Sequence, residues 1–129
     1  MIWIDSSFAI EWLAGMSTAR KVRLPQGPLG ILSMQYLEVF IFFLRQGQDP
    51  LAISRELERL ELRNPERVHL QYAGPLYLDA RKKKSKASLA DALLAAVSHI
   101  EEEGVLSFDR DFATLGLKAR GALWFPTIQ

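Results

Sequence analysis

The chain has 129 residues, 49% apolar and 24% charged, and its 16 Lys plus Arg against 15 Asp plus Glu leave a net charge of +1. That length suits one domain, residues 1–129, with a real hydrophobic core, and so balanced a charge points to no partner by itself. Cysteine is absent, which excludes disulfides, thiolate chemistry and sulfur-ligated metals, so a metal would have to sit among oxygens or histidines.

Ile2 to Ile4 predicts a short buried strand, followed by a helix through FAIEWLA with Ser6 or Ser7 as its cap. The Pro- and Gly-containing stretch from Arg20 to Gly30 predicts a connection, and Gly30 to Leu32 a second strand, with Ser33 capping the next helix. Apolar residues at 34, 37, 40, 41 and 44 predict that this helix is largely buried and runs from Met34 to Gln46, closed by Gly47. After Asp49-Pro50, LAISRELERLEL predicts a solvent-facing amphipathic helix stopped by Pro65.

Arg67 to Leu70 reads as a strand or an extended link, and Tyr72–Lys83 and Ser88–Glu103 as two further helices. Val105 to Phe108 and Leu123 to Phe125 predict the remaining strands. Short strands separated by helices favour an α/β fold with a mainly parallel sheet. The start MIWIDSS lacks the basic stretch and long apolar run of a secretory signal. The most apolar later window, YLEVFIFFL, contains a glutamate and is too short to span a membrane, so a cytoplasmic protein without membrane contact is expected.

In a parallel α/β sheet, ligands bind beyond the carboxyl ends of the strands, and Asp5 and Asp109 each directly follow a predicted strand. Asp5 is otherwise a helix cap. Glu38 interrupts an apolar helical surface, where a charge needs an arginine, an escape to solvent or a metal. Asp91 stands three residues after Ser88 in SLADALLAA, the spacing of a capping box, yet on a tightly packed first turn. Asp109 and Asp111 bracket Arg110, either as a polar loop that caps a short helix near Phe112 or as site acids, with Asp109 the first choice.

Such carboxylates gathered on one rim would repel one another, so the cluster makes best sense when Mg²⁺ or Mn²⁺ neutralises it. A site built only of oxygens implies phosphate chemistry more readily than redox chemistry. Ser6 and Ser107 are candidates for positioning a carboxylate or a water, or are simple caps.

RKKKSK places Arg81, Lys82, Lys83, Lys84 and Lys86 within six residues, shortly before Asp91. A charged run is often only a solvated face. Beside a phosphodiester site it would steer a phosphate backbone without reading its sequence. The aromatic residues mostly fall within apolar patterns, His69 and His99 form no ligand pair, and GPLG lacks the lysine and hydroxyl of a phosphate-binding loop.

MIWIDSS, SMQYLEVF, SLADALLAA and VLSFDRDF, taken in this order over nearly the whole chain, resemble the four acid-bearing motifs of PIN-domain nucleases. The small size looks like that of VapC-type toxins. The resemblance implies a three-layer α/β/α fold and a Mg²⁺- or Mn²⁺-dependent ribonuclease, with Asp5, Glu38, Asp91 and Asp109 as the acidic quartet and Ser107 where many relatives carry threonine. It also implies a homodimer and a small antitoxin partner. The alternatives are a catalytically silent RNA- or peptide-binding module of the same fold and a metal-dependent DNA nuclease or phosphatase.

Overall fold

In the computed structural model, residues 1–15, 19, 22, 24 and 26–127 are described. Arg20, Lys21, Arg23 and Pro25 of the expected connection lie outside the described residues. The strands are β1 (Ile2–Ile4), β2 (Leu29–Leu32), β3 (Glu61–Arg63), β4 (Val105–Leu106), β5 (Leu117–Arg120) and β6 (Leu123–Pro126). They form one sheet in the order β3-β2-β1-β4-β6-β5. The pairings from β3 through β4 are parallel, and those of β6 with β4 and with β5 are antiparallel, so the sheet is mainly parallel as expected.

The longer helices are α1 (Ser6–Leu13), α2 (Ser33–Arg45), α3 (Pro50–Leu57), α4 (Arg67–Lys82) and α5 (Leu89–Glu101), and a 3₁₀ helix covers Arg110–Leu115. Side chains alternate across a strand, so each strand feeds two cores. Trp3, Leu32 and Val105 face a core shared with α5, Phe112 and Trp124. Ile4, Ile31 and Leu106 face another core with Phe8, Val39, Phe43 and Ile53 of the first three helices. The three-layer arrangement follows from this division.

Local expectations need correction in several places: in α2, Met34, Leu37, Ile41 and Leu44 of the expected buried surface are exposed while Gln35, Val39 and Phe43 face the core, and β4 ends at Leu106, short of Phe108. The helix expected over LAISRELERLEL ends at Leu57, and Glu61–Arg63 forms β3, an edge strand with every residue exposed. Its pairing with β2 overrides the helical period of the sequence. Arg67 to Leu70 is neither a strand nor a link but the first turn of α4. There the Glu66 N–H donates to His69 Nδ1 (2.9 Å), so the ring proton sits on Nε2, 2.9 Å from Glu101. Asp5, not Ser6 or Ser7, caps α1, and Ser33 is already inside α2, whose N-cap Leu32 makes no side-chain hydrogen bond. Strand β5 has no counterpart among the expected elements. Among the described residues, no helix is long and apolar enough to cross a membrane.

Candidate acidic site

Asp5 extends β1 by one residue, its N–H donating to the Leu106 carbonyl of β4 (3.0 Å), and is only 3% exposed. Its carboxylate is surrounded by donors. Oδ1 accepts the Ser6 N–H (2.9 Å), while Oδ2 accepts the hydroxyls of Ser7 (2.8 Å) and Ser107 (2.7 Å). Ser107 in turn accepts the Asp109 N–H (2.9 Å), and Asp109 Oδ1 accepts the Asp111 N–H (2.9 Å), capping the 3₁₀ helix. A continuous hydrogen-bonded path thus links the ends of β1 and β4.

Asp91 occupies the first turn of α5, and the capping box expected from its spacing is formed: Asp91 Oδ2 accepts the Ser88 N–H (3.0 Å) and Ser88 Oγ the Asp91 N–H (3.1 Å). Glu38 stands on α2. The cap reading and the cluster reading are compatible, because a carboxylate can serve a helix end and still face other charges.

Electrostatics tie the four acids together. Burial raises the Asp5 carboxyl above the usual carboxylate range despite its three hydrogen bonds, and the Asp109 charge adds to the rise. Asp91 is pushed up to about 6, first by burial and then by the charges of Asp5 and Asp109, against the stabilising bonds from Ser88. Much of the Glu38 residue is exposed, yet partial burial of its carboxyl and the charge of Asp91 raise it, while the Ser6 hydroxyl opposes the rise. Asp109, not Asp111, is the neighbour whose charge Asp5 and Asp91 feel. Among the described residues, no three Asp, Glu or His side chains already form a closed ligand group.

That arrangement fits Mg²⁺ or Mn²⁺ through its donor chemistry: oxygen ligands only, mutual repulsion to be neutralised, and an incomplete cage. Mg²⁺ ordinarily keeps several waters and uses one or two carboxylates together with substrate phosphates. A cleft of about 400 Å³ between α4, α5 and the 3₁₀ helix contains Tyr72, His99 and Thr114 but none of the four acids.

A family model for the PIN domain matches residues 2–117. The chain belongs to the PIN-domain family. Its sequence matches no curated protein. As a PIN domain it is similar in fold to a toxin–antitoxin complex from Klebsiella pneumoniae, at 17% identity and a TM-score of 0.71, covering 88% of this chain and 91% of the other. It is also similar to Mycobacterium tuberculosis VapC20, a sarcin–ricin loop cleaving toxin (20% identity, TM-score 0.69, covering 90% and 95%). VapBC-1 from nontypeable Haemophilus influenzae is a further likeness (19%, 0.69, covering 89% and 92%).

The basic run straddles the end of α4, and Arg81, Lys82, Lys83, Lys84 and Lys86 are all exposed. Two of them are engaged: Lys83 pairs with Asp79 (2.9 Å), and Arg81 lies over the Tyr77 ring and donates to the Ser85 carbonyl (3.3 Å). Buried Ser85 anchors the loop. Its hydroxyl lies 2.7 Å from that of Thr114, which donates to the Asp111 carbonyl (2.6 Å), so the basic loop is fastened to the turn that follows Asp109.

Read from sequence, Ser7 is only a cap, and Gln35, Ser85 and Thr114 carry no signal of a role. The DSS triplet is the available signal for Ser7: a hydroxyl two residues beyond an acid can return to that acid's carboxylate.

Proposed function

We propose that this PIN domain is a metal-dependent endoribonuclease hydrolysing RNA phosphodiesters, the toxin of a toxin–antitoxin pair, acting in the cytoplasm as a single catalytic domain. The observation that carries the reading is the hydrogen-bonded path from buried Asp5 through Ser107 to Asp109 at the ends of β1 and β4, with the charge of Asp109 raising the carboxyls of Asp5 and Asp91, that of Asp5 raising Asp91 and that of Asp91 raising Glu38. Binding alone would not need such crowding, which destabilises the fold. Family membership and the fold's likeness to toxin–antitoxin proteins, one of them named for cleaving the sarcin–ricin loop, support the same reading.

Mg²⁺ or Mn²⁺ bound among these oxygens would supply Lewis acidity and lower the pKa of a water. Asp5 would be the buried ligand, Asp91 and Asp109 the half-buried ones and Glu38 the outer acid. Ser7 and Ser107 hold the Asp5 carboxylate in one orientation. Lys84 and Lys86, together with Arg81, Lys82 and Lys83, would attract the RNA backbone toward the acids. The apolar exposed face of α2, including Leu37 and Ile41, offers a surface for a second copy or the antitoxin.

The test is cleavage of a mixed RNA pool with Mg²⁺, with Mn²⁺ and with chelator, alongside DNA and small phosphoesters, with Asp5→Asn as the contamination control. Metal-dependent RNA cleavage lost in the variant is expected. Preference for DNA or phosphoesters would replace the ribonuclease assignment.

A further inference from the structure

The buried residues of α2 are Gln35, Val39 and Phe43, a strict i, i+4, i+8 stripe toward the core. Two of the three are apolar, and Gln35 is not. It is 0% exposed. Its Nε2 donates to the Ala90 carbonyl of α5 at 2.9 Å, and because a carbonyl only accepts, that contact fixes which amide atom is which. The other atom, Oε1, is buried and has no partner among the described residues.

An amide oxygen buried without a donor costs stability, and an apolar side chain of the same length would remove that cost. Glutamine at this position therefore does something other than fill the core. Its two neighbours in the chain and across the contact identify what. Gln35 precedes Glu38 by three residues, on the adjoining turn of the same helical side, and Ala90 directly precedes Asp91. The cross-link between these helices through a buried side-chain amide thus falls between two of the four acids.

We propose that Gln35 is a positioning residue for the acidic site: its amide clamps α2 to the first turn of α5 and so sets how Glu38 and Asp91 face one another. The inference rests on the proposed metal-dependent reading and adds a residue that touches neither phosphate nor ion. Cluster geometry is maintained at the expense of one unsatisfied oxygen, as positions retained for function commonly are.

The experiment compares wild type, Gln35→Met and Gln35→Glu by Mn²⁺ titration calorimetry, with no RNA present, and by thermal melting in chelator. Methionine keeps the length but loses the donor and the orphan acceptor. Glutamate keeps the acceptors but, when ionised, cannot donate to Ala90. Both variants are expected to bind Mn²⁺ about tenfold or more weakly, the size typical when a residue supporting metal ligands is changed. Gln35→Met should melt no lower than wild type. Mn²⁺ affinity equal to wild type in a folded variant overturns the clamp and leaves the nuclease reading intact. If Gln35→Met melts well below wild type with unaltered affinity, Gln35 is a packing residue only. No Mn²⁺ binding by wild type overturns the metal reading and this inference together.

Discussion

Ser107 and Asp5 are separated by 102 positions in the chain, yet the Ser107 hydroxyl donates to Asp5 Oδ2 at 2.7 Å inside the protein. The bond exists because β4 lies beside β1 in parallel register, Leu106 opposite Ile4, so the residues just past the two strand ends meet. It lowers the cost of keeping Asp5 ionised where burial favours the neutral acid.

Removing that donor should therefore weaken metal binding. Ser107→Ala is expected to reduce Mn²⁺ affinity and cleavage about tenfold, and Ser107→Thr, which restores the hydroxyl, to recover most of both. Calorimetry on both variants checks this, and equal affinity in Ser107→Ala would leave the hydroxyl with a purely structural part.

Asp5→Asn should keep the fold. Its amide oxygen can still accept the Ser6 N–H while the Ser7 hydroxyl turns to accept from the amide nitrogen. Loss of the charge should reduce cleavage at least about 100-fold while the melting temperature of the metal-free protein stays level or rises. A variant that melts early would show that the carboxylate is required for folding.

The acids also predict the direction of pH dependence. Asp91 has a folded pKa of about 6 against 3.8 for the free side chain, so the folded state favours its protonated form. The stabilisation from that proton is fully present below the unfolded value and is lost as pH rises through about 6. Asp5 and Glu38, also raised, act with the same sign. Metal-free protein should melt higher at pH 5 than at pH 7.5. Asp91→Asn, which can still accept from Ser88, should flatten this dependence and stabilise the protein at pH 7.5 by about 1 kcal/mol, discounted for partial exposure, or about 4 °C. At limiting metal, cleavage should fall as pH drops, because a protonated Asp91 cannot bind the cation, and added metal should move that fall to lower pH. Melting curves and a pH–rate profile test both signs.

Lys84 and Lys86 have no ion-pair partner among the described residues, whereas Lys83 pairs with Asp79. Replacing both with glutamine in an Asp5→Asn background should weaken binding of single-stranded RNA and reduce the slope of log affinity against log salt by about 1.4, for two lost phosphate contacts. Lys83→Gln alone should have the smaller effect. An unchanged slope in the double variant would confine the basic run to solubility.

Asp5 and Asp109 were legible in the sequence because each stands immediately after a short apolar run, and a strand's end is a local property. The extent of α2 was likewise legible, but its inward face was not: Met34, Leu37, Ile41 and Leu44, whose spacing suggested burial, are exposed, and the core takes Gln35, Val39 and Phe43 instead. The Ser88–Asp91 capping box needed only its three-residue spacing to announce it. Strands β3 and β5 were not legible: both are edge strands carrying exposed charged residues, and only pairing with β2 and β6 makes them strands. Nor did the chain announce that Ser7 and Ser107 share one oxygen of Asp5, or that Gln35 reaches Ala90 and leaves its own oxygen without a donor. The sequence by itself determined where most helices and the inner strands lie and which residues stand near their ends, since those depend on short-range spacing. Only the tertiary structure decided which of them touch, because hydrogen bonds, desolvation and charge coupling between residues far apart in the chain depend on distances that the fold alone creates.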